Sequence, residues 1–289
     1  MRQVAFLIPL LAVGLGAQQP PTPPASVAPK MDRSAKPGVG DLLISPQRLF
    51  FEGPTRTQEL TLINVGPRTA TYRIFFTQMD MAEDGNLNET KEKTKDGKYA
   101  EDVLRYSPRQ VTLEPGIAQT VRLSLRKPEG ISVGEYRSHL VFRYVPEPEP
   151  TKVVDPKEPE PTGLSISFIA LPGIAAPIVV RHGATTATAT WESASLTPGT
   201  PPTLEASLAR NGNQSIYGDL RVTFTPAGSS EKVIVYSMNW AAVYDPLPRR
   251  RFKLPLNLPG GPTAKGSLRL QFLAPETDKP LAETKLDIN

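Results

Sequence analysis

Large apolar residues alternate with polar ones in short bursts along this chain, and the bursts read as strands. "DLLISPQRLFF", "QELTLINV", "TATYRIFFTQM", "AQTVRLSLR" and "EYRSHLVFRYV" each combine β-branched and aromatic residues at period two, with Gly, Pro and Asn between them. No segment carries a convincing amphipathic helical period. Short strands at this spacing, punctuated by turns, predict an antiparallel sandwich of immunoglobulin type. After "VVRHG" the pattern restarts with "ATTATATW", "TLEASLAR", "YGDLRVTFT", "EKVIVYSMNW", "RRFKLPLNL" and "KGSLRLQFL", with turns at "TPGTPP", "PAGSS" and "LPGGPT". The expected fold class is therefore all-β: two immunoglobulin-like β-sandwich domains in tandem, over 41–183 and 184–289.

Two long segments interrupt the first domain. Residues 82–102, "AEDGNLNETKEKTKDGKYAED", are polar and mixed in charge, and residues 146–162, "PEPEPTKVVDPKEPEPT", are acidic and proline-rich. Loops of this length are uncommon in compact domains unless they are functional or disordered. The second runs into "GLSISFIALPGIAAPIVVRHG", where serine alternates with large apolar residues before the chain turns almost wholly apolar. In an extended strand Leu164, Ile166, Phe168 and Ala170 share one face, with Ser165 and Ser167 on the other. Such a strand is either buried on both faces or an apolar edge that needs a partner.

The N-terminus changes the picture of where this fold would operate. Arg2 is followed by an uncharged apolar run from Val4 to Gly16, 13 residues long, and then by a proline-rich polar stretch. That is the layout of a secretory signal peptide, here assigned to 1–17, and it is shorter than the roughly 18 residues a permanent span requires. Residues 18–39 hold six prolines and no apolar period, as expected of a disordered leader (18–40). The mature chain is expected to carry no integral membrane segment. With no cysteine there is no disulfide framework and no thiolate metal site or nucleophile, so stability must come from burial. The 33 basic and 29 acidic residues are interspersed, which gives no footprint for nucleic acid.

Enzyme chemistry finds little support. Of the two histidines, His139 alternates with apolar residues in a strand and His182 ends an apolar run; neither stands near an acidic cluster. Asp84, Asn86 and Asn88 are spaced like the start of a calcium loop, but Glu89 occupies the position that needs glycine and no glutamate closes the loop. "NET" at 88 and "NQS" at 213 match the glycosylation sequon by pattern alone.

Taken together, "ISPQRLFFEG", "QELTLINVG", "LEPGIAQTVRL", "GEYRSHLVFRYVP" and the apolar strand ending "VVRHG" stand in an order that resembles the PapD-like periplasmic pilus-assembly chaperones. The resemblance covers about residues 41–183 and continues more weakly through "RNGNQSIYGDLRV". It implies two sandwiches set at an angle, a non-enzymatic role, no cofactor and a periplasmic location. It also implies a chaperone that complements pilus or fimbrial subunits with its G1 strand and delivers them to an outer-membrane usher. Leu164, Ile166, Phe168 and Ala170 would be the donated side chains, and the acidic loop before them the F1–G1 connection. The family holds the subunit's terminal carboxylate with an arginine and a lysine. Arg48 matches the arginine, whose planar fork suits a carboxylate. The lysine's place falls near Pro177, and Arg181 aligns with either the cleft or an interdomain bridge, whose acidic partner falls on Ser138. Pro172 and Gly173 would end the G1 run early. An exported structural or adhesive sandwich protein is the alternative, because fold does not fix function.

Overall fold

The computed structural model describes residues 41–90, 92–146, 173–275 and 277–288. Its first sandwich contains β1 (Leu42–Ser45), β2 (Leu49–Phe51), β3 (Thr57–Asn64), β4 (Ala70–Met81) and β5 (Leu87–Thr90). A single-turn helix α1 (Ala100–Val103) follows, then β6 (Leu104–Ser107), β7 (Gln110–Leu113), β8 (Ala118–Leu125), β9 (Gly134–Val145) and β10 (Gly173–His182). One sheet runs β1-β3-β8-β6, which is the A-B-E-D order of an immunoglobulin sandwich. The other runs β2-β10-β9-β4-β5, with β7 also paired to β4. The second sandwich contains β11 (Ala187–Thr197), β12 (Thr203–Gly212), β13 (Ile216–Pro226), β14 (Val233–Val243), β15 (Arg249–Pro255), β16 (Gly266–Leu273) and β17 (Pro280–Ile288). Its sheets run β11-β12-β15 and β14-β13-β16-β17. Among the described residues no helix is long and apolar enough to cross a membrane.

Each core is built from alternate residues of facing strands. In the first, Leu60, Leu62, Val121 and Leu123 of one sheet meet Tyr72, Ile74, Leu140, Phe142 and Ile178 of the other. In the second, Leu204 and Leu208 face Val222, Phe224, Leu270 and Phe272. Each of these large side chains contributes on the order of 1.5–3 kcal/mol by leaving water.

The polar segment 82–102 is more ordered than its composition predicts. Asp84 Oδ1 accepts a hydrogen bond from the Asn86 backbone N–H (2.9 Å) and Gly85 turns the chain at φ 88°, closing a hairpin between β4 and β5. The calcium-like spacing is thus used for a turn. Polar cross-strand pairs hold this hairpin: Thr90 donates to Asp80 (2.7 Å) and Thr77 to Glu89 (2.7 Å). The segment then supplies α1, which buries Ala100 and Val103 under the sheet edge.

Asn64, fully buried, ties the β3–β4 turn to the end of β7. Its Nδ2 donates to the carbonyls of Arg68 (2.7 Å) and Leu113 (2.9 Å), and its Oδ1 accepts from Gly66 N–H (3.0 Å). Asn64→Ala strands three backbone groups without a bonding partner, so chemical denaturation is expected to give a loss of about 2–3 kcal/mol with unchanged far-ultraviolet circular dichroism. A loss under about 0.5 kcal/mol would show that water replaces the amide.

Candidate functional site between the sandwiches

Period two divides β9 and β10 into a core face and an outer face, and the site lies on the outer one. Even-numbered Ser138, Leu140, Ile178 and Val180 point into the first sandwich, while odd-numbered Glu135, Arg137, His139, Pro177, Val179 and Arg181 point toward the second. The registers line these into rungs. Arg181 stands opposite Glu135, Val179 opposite Arg137 and Phe50, and Pro177 opposite His139, which is itself opposite Thr77. Arg48 immediately precedes Leu49, the residue paired with Ile178, and so stands at the end of the His139 rung.

The Arg181 rung joins the two sandwiches. Arg181 Nε donates to Glu135 Oε2 (3.2 Å) and its Nη1 to Glu52, while Nη2 reaches the Ser215 carbonyl (3.5 Å). Glu135, whose side chain is fully buried, also accepts from the Ser215 backbone N–H (3.1 Å) and from the Ser215 hydroxyl. The bridge's acid is therefore Glu135 and not Ser138. Ser138 belongs to the opposite face, where its hydroxyl donates to Gln78 (2.8 Å).

"RNGNQSIYGD" supplies the other half of this joint. The side chain of Arg210, 5% exposed, donates to the carbonyls of Leu247 (3.0 Å), Gly212 (2.7 Å) and Gln214 (3.0 Å) and pairs with Asp245 (2.9 Å). That fixes the turn presenting Ser215. Asn213 binds the connecting segment, accepting from Thr186 N–H (2.8 Å) and donating to the Ala184 carbonyl (3.1 Å). A second brace comes from the β4–β5 hairpin: Arg251 donates its backbone N–H to the Glu83 carbonyl (2.6 Å) and its Nε to the Glu83 carboxylate (2.9 Å). Gly85 suits this turn by its φ of 88°, and it leaves room for the Arg250 guanidinium beside it.

Between these joints lies an apolar layer of Val179, Tyr217, Ala242 and Tyr244, with Phe50 and Met81 packed against it. Arg48 enters this layer. Its guanidinium carbon stands 4.3 Å from the Tyr217 ring centroid and 5.4 Å from that of Trp240, a cation–π arrangement. Its Nε and Nη1 are buried and donate to no acceptor among the described residues. The two arginines read from the sequence thus differ: Arg181 is engaged by Glu135 and Glu52, whereas Arg48 has no carboxylate partner among the described residues. At the Pro177 position the neighbours are His139 and Arg48. Leu164, Ile166, Phe168 and Ala170 lie outside the described residues. The strand itself begins at Gly173, where a break was expected, and pairs with β9 through to His182. Among the described residues only Ile178–Val180 of β10 pair with β2, and no described strand pairs with that edge over Gly173–Pro177.

Neither histidine is placed for acid–base work. His182 Nδ1 is within hydrogen-bonding distance of Lys127 Nζ (3.3 Å). His139 is 1% exposed, its ring edge-on to Tyr244 at 6.1 Å and its two nitrogens without partners. Burial first, then the Arg137 and Arg48 guanidiniums, push its pKa down to about 3. The residues the sequence reading missed are Glu135, Ser215, Tyr217 and Trp240. Glu135 was accessible by counting register across the β9–β10 pair; the others come from a different domain.

No protein-family model matches the chain, and no curated protein matches it. Solved structures similar to it include the class 5 fimbriae chaperone CfaA, at 15% identity, covering 86% of this chain and 99% of that one with a TM-score of 0.41. The CsuC–CsuE chaperone–tip subunit pre-assembly complex from the archaic Csu pili of Acinetobacter baumannii matches at 13% identity, over 85% and 98% of the chains, with a TM-score of 0.43. The E. coli chaperone DraB matches at 12% identity, over 86% and 97%, with a TM-score of 0.40.

His139 makes stability pH-dependent in a definite sense. Its pKa is about 3 when folded and near 6.5 when unfolded, so below pH 6.5 the unfolded chain binds the extra proton. The stabilisation is complete above pH 6.5 and declines as pH falls toward 3. Between pH 7 and 5, above the carboxylate range, this one residue is expected to remove about 2 kcal/mol. Urea melts at both pH values check it: His139→Gln should flatten that difference, and a wild-type stability equal at pH 7 and 5 would contradict it.

Proposed function

We propose that this protein is a periplasmic assembly chaperone for pilus or fimbrial subunits, acting by binding and not by catalysis. The observation that carries the reading is Arg48: a guanidinium held between two sandwiches on aromatic faces, with buried donors that meet no acceptor among the described residues. A cation so placed favours a carboxylate, and a chain terminus is the carboxylate that a protein partner presents on an extended backbone. Beside it, the open edge of β10 offers main-chain donors and acceptors from Gly173 to Ala176, which suits addition of a partner strand. The chain leading into that edge carries Leu164, Ile166, Phe168 and Ala170, and these are the side chains we assign to the subunit's groove. Arg181 supports the cleft by fixing the joint, and does not itself bind the carboxylate. Export through residues 1–17 and hand-over to an outer-membrane usher complete the proposal.

Two variants separate the cleft from the donor strand. Arg48→Ala should fold normally yet lose subunit capture by about 2–5 kcal/mol in a periplasmic pull-down, because the bound carboxylate is left unpaired. Undiminished co-purification would count against the cleft. Replacing Ile166 and Phe168 together by serine should weaken capture by several kcal/mol, at roughly 1.5–3 kcal/mol per side chain, while shifting the free protein's Tm by no more than about 2 °C. A collapse in Tm would mean that both side chains already belong to the protein's own core.

A further inference from the structure

Trp240 is the one non-glycine residue at positive φ (58°) among those described. For a bulky side chain this is a strained backbone conformation, and it persists only where surroundings enforce it. Two features do so here. The pairing of β13 with β14 shifts register between Gly218 and Leu220, and Asp219 Oδ1 accepts the Trp240 backbone N–H at 2.9 Å. The result is an indole that stays 46% exposed instead of joining the core.

That ring walls a pocket of about 440 Å³ at the junction of the sandwiches, with Phe50, Ile216, Tyr217, Pro275 and Leu281. Leu281 is also 41% exposed, so two large apolar side chains are held in water around one concavity. The Arg181–Glu52 pair at the rim is mutually satisfied. The unspent charge nearest these walls is Arg48, whose guanidinium lies over the Tyr217 and Trp240 rings. A ligand group that satisfies both must present a carboxylate and an apolar side chain a few ångströms apart. In a C-terminal residue the side chain starts about 2.5 Å from the carboxylate carbon. An internal Asp or Glu would bring polar backbone to the apolar walls.

We propose that the Trp240 pocket receives the apolar or aromatic side chain of the partner's C-terminal residue, and so selects partners by that residue. This rests on the carboxylate reading of Arg48 given above. The strain at Trp240 then has a use: it holds the indole in place before the partner arrives, so none of the binding free energy is needed to order it.

The test uses the full-length mature protein and three synthetic pentapeptides, Ser-Gly-Ser-Thr-X, in which X is Phe, Gly or Phe amide, with affinity read by calorimetry. The expected result for wild type is at least tenfold tighter binding of the Phe acid than of the Gly acid. Trp240→Ala should reduce that ratio below about threefold, weakening the Phe peptide far more than the Gly peptide, whose binding still loses the ring that lies under Arg48. Trp240→Gly, which suits the positive φ, should behave alike and melt no earlier than wild type, separating lost recognition from lost folding. Arg48→Ala should weaken both acids equally. A wild type that does not distinguish Phe from Gly, or a Trp240→Gly protein that still does, overturns the pocket and leaves the carboxylate reading standing. Phe amide binding as tightly as the Phe acid overturns the carboxylate reading itself, and the pocket assignment with it.

Discussion

A fully buried carboxyl group has to find donors for both of its oxygens inside the protein, and Glu135 is such a group. Its partners come from three places: Arg181 on the neighbouring strand, and the backbone N–H and hydroxyl of Ser215 in the second sandwich. Removing any of them would leave charge or donors uncompensated, so the two sandwiches are joined by a requirement that apolar packing alone would not impose. Arg210 extends the constraint inward by gathering three carbonyls and Asp245 around the turn that carries Ser215.

The same arithmetic distinguishes the cations of this layer. Arg181 has two carboxylates, and Arg137 donates to the Met79 carbonyl (2.8 Å) while its guanidinium covers Tyr244. Among the described residues Arg48 lies on the Tyr217 and Trp240 rings, with its Nε and Nη1 unpaired. Ring quadrupoles attract a cation without satisfying its N–H groups, so the aromatic faces hold the Arg48 guanidinium while leaving its buried donors unpaired among the described residues. The same guanidiniums bear on His139, since burial and the charges of Arg137 and Arg48 all oppose its protonation.

Segments that read as loops turned out to serve the joint. The 82–102 stretch lacks apolar alternation because β5 is an edge strand with little to bury, and edge strands hold themselves by polar cross-strand pairs. Its Glu83 reaches β15 and braces the second sandwich. β17, "PLAETKLDI", carries a fainter pattern, although Ala282, Leu286 and Ile288 do alternate toward the second core. Its charged intervening residues diluted the signal.

The sequence by itself determined the class of fold and most of the strands, because side-chain alternation is a local property and each buried face writes it directly into the chain. It also marked Arg48, through the residues around it. What it could not determine was which arginine is spent. That depends on parity in register and on groups that arrive from the far side: Glu135 stands opposite Arg181 and Ser138 does not, while Tyr217 and Trp240 approach Arg48 from the second sandwich, 169 and 192 residues later in the chain. Charges compensate through space, and the distances that decide the matter exist only after the two sandwiches have met.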